Sequence, residues 1–157
     1  MHYIKKSTKI DTCYLQAVYD VPKFKIAVKK TAKSIKALYE KKYREEKIRI
    51  EAIAFTGTSG AAMAYPLSYL LNIPLICIRK DEERSHYRKD GYGEVEGIKN
   101  PANYIIVDDM ICSGETIDKI TKKIKNMYPK AKCLGIFLYS SYQISPYKKI
   151  PVIASHD

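Results

Sequence analysis

Two adjacent carboxylates, Asp108 and Asp109, close the apolar run Tyr104-Ile105-Ile106-Val107, and Cys112-Ser113-Gly114-Glu115-Thr116 follows almost at once. Carboxylates at a strand end can accept hydrogen bonds from the hydroxyls of a sugar or share a divalent cation with other oxygens. Amides at the start of the next helix carry the positive end of its dipole and bind phosphate. The hydroxyls of Ser113 and Thr116 add donors at the same place. The combination describes a sugar-phosphate site. An Asp-Asp pair alone would only end a strand and cap a helix. What sets this stretch apart is strand, acid pair, Ser-Gly and terminal Thr in unbroken order.

A second candidate is Thr56-Gly57-Thr58-Ser59-Gly60, where closely spaced amides and hydroxyls stand beside glycines that let the backbone approach an anion. By itself such a sequence is an ordinary tight turn. Its interest lies in its position after an apolar run, as in the first candidate.

The elements around these residues must bring them together. Phe24, Ala27, Val28, Thr31, Ile35, Leu38 and Tyr39 recur at helical spacing, which predicts an amphipathic helix from Pro22 to about Tyr43, with lysines on its other face. Glu51–Phe55 reads as a strand, Thr56–Gly60 as a turn and Ala61–Leu71 as a buried helix, in which Pro66 implies either a separate first turn or a kink. Pro74–Ile78 is a continuous apolar strand ending in Arg79-Lys80. Asp81–Pro101 contains ten charged residues and three glycines with little apolar periodicity, the composition of a mobile lid. Ile117, Ile120, Ile124 and Met127 mark a helix after the acid pair, Lys132–Tyr139 a further strand, and Pro151–Ala154 a short last one. Strands alternating with helices predict a three-layer α/β fold: an open, mostly parallel sheet flanked by helices, with ligands at the carboxyl ends of the strands.

At 157 residues the chain is expected to form a single domain, residues 1–157, with its mobile loop at about 81–101. Its apolar runs are far short of a membrane span, and its first ten residues do not resemble a secretion signal. The expected location is the cytoplasm, with no membrane partner. Cys13, Cys77, Cys112 and Cys133 lack metal-site or redox spacing, so disulfides are not expected. The compositional outlier is a net charge of +11. Between Lys23 and Arg49 there are eleven Lys or Arg against three Glu, a surplus of eight. Such a segment is either a solvated helix face or a nucleic-acid footprint.

Val107 to Thr116 resembles the phosphoribosyl pyrophosphate (PRPP) binding motif of the type I phosphoribosyltransferases: apolar residues, two acids, two apolar residues, a variable position, Thr-Gly, a variable position, and Thr or Ser. Ser113 stands where Thr is usual and keeps the hydroxyl. The resemblance extends over about Glu51 to Leu138. It implies that Asp108 and Asp109 meet the ribose hydroxyls, and that Cys112, Ser113, Gly114, Glu115 and Thr116 wrap the 5-phosphate. It also implies pyrophosphate contacts from Thr56, Gly57, Thr58, Ser59 and Gly60 and from Arg79 and Lys80. Mobile-loop groups over the leaving pyrophosphate would come from Arg84, His86, Arg88 and Lys89. Mg²⁺ would be held through PRPP, Asp108 and Asp109, consistent with its preference for oxygen ligands and retained water.

The activity so implied is transfer of 5-phosphoribosyl from PRPP to a nitrogenous base with release of pyrophosphate. Cys112 occupies the position where 6-oxopurine enzymes carry Asp, so the resemblance points to an adenine- or orotate-type acceptor. A catalytic Cys112 nucleophile would need His-Asp support that is not identifiable. Base recognition is expected from a small hood in the N-terminal segment or the tail, with Tyr14, Tyr19, Phe24, Tyr139, Tyr142 and Tyr147 as aromatic candidates. Family analogy implies a homodimer. The alternative is a PRPP- or nucleotide-sensing regulator of the same fold that binds nucleic acid through Lys23–Arg49.

Overall fold

In a computed structural model of the protein, the residues described are 15–80, 93–140 and 147–154. A short helix, α1 (Gln16–Tyr19), precedes the long α2 (Val21–Glu46). The carboxylate of Asp20 caps α2 by accepting from the Lys23 amide at 3.1 Å, with Pro22 in the first turn, where its missing N–H is harmless. The helix ends at Lys47 in the left-handed region. Its buried side is Val28, Thr31, Ala32 and Ile35, as the periodicity requires.

Six strands form one sheet: β1 (Ala52–Thr56), β2 (Leu75–Ile78), β3 (Val95–Gly97), β4 (Asn103–Asp108), β5 (Lys132–Leu138) and β6 (Val152–Ala154). Their order is β3-β2-β1-β4-β5-β6, parallel throughout except for the antiparallel edge pair β2–β3. Helix α3 (Gly57–Leu71) follows β1, and α4 (Glu115–Met127) follows β4. One core cluster joins Met63, Ala64 and Leu67 of α3 to Ile53, Phe55, Ile105 and Val107, together with the buried side of α2. The other joins Ile117, Ile120 and Ile124 of α4 to Ala52, Ala54, Ile76, Ile106 and Ile136. The two helices therefore leave neighbouring strands for opposite faces, which opens a crevice between the carboxyl ends of β1 and β4. Such a switch point is where doubly wound sheets bind ligands.

Three expectations are corrected here. Thr56–Gly60 is not a separate turn: Thr56 ends β1 and Gly57 already begins α3. Gly57 reverses the chain by itself at φ +61°, a conformation open to glycine without penalty, so no loop is needed. Of the two alternatives at Pro66, a separate first turn is excluded, because α3 is one helix from Gly57 to Leu71. An internal proline costs about 3 kcal/mol, and full burial of Met63 and Leu67 offsets it at about 1.5–3 kcal/mol each. Finally, the polar stretch assigned to a mobile loop contains structure at its far end. Residues 95–97 pair with β2, placing Val95 opposite Ile78 and Gly97 opposite Ile76. Residues 81–92 lie outside the described part.

Candidate functional site

The carboxyl ends of β1, β2 and β4 surround a cavity of about 600 Å³. Its wall includes Thr56, Gly57, Thr58 and Ser59 from the β1–α3 junction, and Arg79 and Lys80 after β2. Asp108, Asp109, Cys112, Ser113, Gly114 and Thr116 complete it from the β4–α4 junction. Three stretches far apart in the chain thus share one cavity. Gly60 and Glu115 are not on its wall. Gly60 sits behind it, where an added Cβ would lie 3.0 Å from Phe55 Cβ and 3.2 Å from the Val107 carbonyl oxygen. The Glu115 amide donates to the Ser113 hydroxyl at 3.3 Å. Arg84, His86, Arg88 and Lys89 lie outside the described residues.

Asp108 is the inner acid, only 5 % exposed, and Asp109 the more open one. The Asp108 Oδ1 atom accepts two hydrogen bonds, from the Ser59 hydroxyl and the Asp109 amide, each at 2.9 Å. Burial pushes its carboxyl up to about 7, and a hydrogen bond with the Asp109 side chain adds to the rise. The Asp109 amide and Ser59 pull in the opposite direction without cancelling it. The first turn of α3 is therefore tied directly to the acid pair. Tyr139, just past β5, strengthens the tie by donating its hydroxyl to the Ser59 carbonyl at 2.7 Å.

The second anion-binding turn is held from outside. Gly114 adopts φ +86°, and a Cβ there would lie 2.8 Å from the Tyr147 ring. The Tyr147 hydroxyl donates to Asp118 Oδ1 at 2.7 Å, and Lys149 Nζ reaches both Asp118 oxygens at 3.0 and 2.9 Å. Lys149, then Tyr147, holds the Asp118 carboxyl below its usual range. The amino end of α4 thus carries a pinned turn over a dipole that favours an anion.

The cations are arranged in layers. Arg79 makes a two-bond pair with Glu96 of β3, at 3.2 and 3.0 Å. Lys80 lies closer to the α3 turn, with Nζ 3.3 Å from where a Cβ on Gly57 would stand. Lys119 and Lys123 also line the cavity, and the sequence reading missed both. Lys123 donates to the Arg79 carbonyl at 3.0 Å with its side chain only 14 % exposed. Their spacing, one helical turn apart beside the Ile117-Ile120-Ile124 stripe, was the available signal.

Four of the six aromatic candidates lie among the described residues. Tyr139 belongs to the core, Phe24 packs against it, Tyr147 covers Gly114 and Tyr19 is exposed. Tyr14 and Tyr142 are outside the described residues. Cys112 is exposed at the cavity. No group of three or more metal-ligating side chains occurs among the described residues. A cation here would need oxygens from its ligand, and Asp109 with Asp108 could supply the remainder.

A doubly wound sheet with its crevice between an acid-ended strand and two helix amino termini is the architecture of a type I phosphoribosyltransferase. The chain belongs to the PRTase-CE family, whose model matches residues 6–152. The fold is similar to that of adenine phosphoribosyltransferase from Saccharomyces cerevisiae, solved with an imino-altritol bisphosphate and adenine. That likeness has a TM-score of 0.66 at 18% identity, covering 90% of this chain and 83% of that one. It also resembles orotate phosphoribosyltransferase from Aeropyrum pernix, with a TM-score of 0.51 at 21% identity over 78% of this chain and 61% of the other. Leishmania donovani UMP synthase matches at 0.54 and 20% identity, over 77% of this chain and 23% of that chain. No curated protein matches the sequence. No helix among the described residues is long and apolar enough to cross a membrane.

Proposed function

We propose that the protein transfers the 5-phosphoribosyl group of PRPP to a nitrogenous base and releases pyrophosphate. The observation that carries this is the single cavity in which the α3 and α4 amino termini flank Asp108 and Asp109. Ser113, Thr116 and the amides around Gly114 hold the 5-phosphate, Asp109 and Asp108 accept from the ribose hydroxyls, and Gly57–Ser59 with Lys80 receive the pyrophosphate. Arg79 joins them by exchanging Glu96 for phosphate oxygens, and Arg84, His86, Arg88 and Lys89 are the remaining candidates to cover the leaving group.

In the reaction the C1–O bond breaks with its electron pair passing to pyrophosphate, and a lone pair on the base nitrogen forms the new bond. The residues have no covalent part in this. They orient the donor, stabilise charge developing on pyrophosphate and exclude water from the cationic sugar. Asp109 and Asp108 would hold Mg²⁺ arriving with PRPP, and the ion would supply further neutralisation of the pyrophosphate.

The acceptor is of the adenine or orotate type rather than a 6-oxopurine, because Cys112 replaces the acid expected for the latter. Adenine occupies one of the similar solved structures. A homodimer fits the apolar outer side of α3, where Tyr65, Tyr69 and Leu70 are 61%, 88% and 52% exposed. The working location is the cytoplasm.

Isothermal titration with PRPP and Mg²⁺ tests the donor. Binding heat and thermal stabilisation that depend on both are expected; the absence of both effects would overturn the proposal. Screening adenine, orotate, uracil, guanine, xanthine and nicotinate while following pyrophosphate identifies the acceptor.

A further inference from the structure

The positive charge of this protein is not concentrated at the cavity. Of the net +11, the segment from Lys23 to Arg49 supplies a surplus of eight, and none of its residues lines the site. Within α2, Lys25, Lys29, Lys30, Lys33, Lys36 and Arg44 are all exposed. At 3.6 residues per turn they fall in one arc of about 140°, away from the buried side. Glu40 is the single acid within that arc between Lys25 and Arg44. The ion pairs of α2 lie at its margins, Lys23 with Asp20 and Lys42 with Glu46. Folding has thus collected the lysines into a continuous ridge.

The ridge has the dimensions of a linear polyanion. Twenty-six residues span about 39 Å, and Lys25, Lys29, Lys33 and Lys36 succeed one another every 4.5–6 Å or so along the axis. A nucleic-acid strand presents a phosphate about every 3.4 Å of duplex axis, so several lysines can each meet a phosphate. A membrane surface suits this helix less well. Interfacial helices insert an apolar side, and the apolar side of α2 is already buried against the sheet. Lysine is a flexible point charge rather than a planar fork, which favours phosphate contact over base reading.

We propose that the outer face of α2 is a sequence-independent docking surface for the phosphate backbone of nucleic acid. This holds whether or not the cavity takes PRPP, because the two surfaces share no residue. The test is fluorescence anisotropy of the full chain with short labelled RNA and DNA duplexes of unrelated sequence, across a salt series. With five phosphates engaged, the log–log salt slope is about −4.5, a loss of about 500-fold between 50 and 200 mM salt. Replacing Lys25→Gln, Lys29→Gln, Lys33→Gln and Lys36→Gln together should reduce the slope to about −1 and weaken binding at 50 mM by at least about 100-fold. The melting temperature and PRPP titration of that variant should match those of the parent chain. No binding at 50 mM salt, binding untouched by the four substitutions, or tighter capture by anionic phospholipid vesicles than by nucleic acid would each overturn the proposal.

Discussion

Asp108→Asn should make the protein more stable in neutral and alkaline solution while disabling it. Asn keeps an Oδ1 acceptor for the Ser59 hydroxyl and the Asp109 amide, and its Nδ2 donor can replace the proton that a neutral Asp108 shares with Asp109. The difference is charge. Burial raises the Asp108 carboxyl from 3.8 to about 7 in the folded protein. Between those values the folded state holds a proton that the unfolded chain has released, so stability falls as pH rises through this window. Above it the full penalty stands, about 4 kcal/mol at roughly 1.4 kcal/mol per pKa unit. Asp108→Asn removes that penalty. For a chain of this length the gain corresponds to about 8–16 °C in melting temperature at pH 8, shrinking toward zero below pH 4. Thermal melts of both proteins across that range are the assay, with pyrophosphate release measured in parallel. An equal difference at both ends of the range, or a loss of stability at pH 8, would refute the assignment of a buried, charge-penalised acid.

Two further perturbations probe the supports of the site. Ser59→Ala removes a donor that favours the charged form of Asp108, so the acidic limb of the kcat/KM–pH profile should move about one pH unit upward; an unmoved limb would detach Ser59 from the acid pair. Gly114→Ala forces a side chain into φ +86° and against the Tyr147 ring. It should cost about 1–3 kcal/mol by denaturant unfolding and weaken PRPP binding, and adding Tyr147→Ala should restore only the part owed to the contact.

The fold was legible where one residue pattern had one physical outcome. The alternation of apolar strands with the helical stripes of α2 and α4 predicted a parallel α/β sheet, and the observed strand order is one such sheet. Prediction failed where a local signal competed with a distant partner. Pro66 suggested a separate turn as one of two outcomes because its cost is local, while the burial that lets α3 continue through it comes from β1 and β4. Val95-Glu96-Gly97 looked like lid because three residues carry little periodicity; antiparallel pairing with β2 makes them a strand. Tyr139 was one of several aromatic candidates in the sequence, and only the fold brought its hydroxyl to the Ser59 carbonyl eighty residues earlier.

The site divides in the same way. The sequence by itself determined which chemical groups are present, because acids, hydroxyls, glycines and a helix start are properties of a contiguous stretch from Val107 to Thr116. It also determined that charge is uneven along the chain. Only the tertiary structure decided that Asp108 is the buried acid, that Ser59 is its donor, and that Lys119 and Lys123 enter the cavity beside Lys80. The physical reason is that electrostatics depends on burial and distance, and both are set by how β1, β2 and β4 lie side by side rather than by neighbours in the chain.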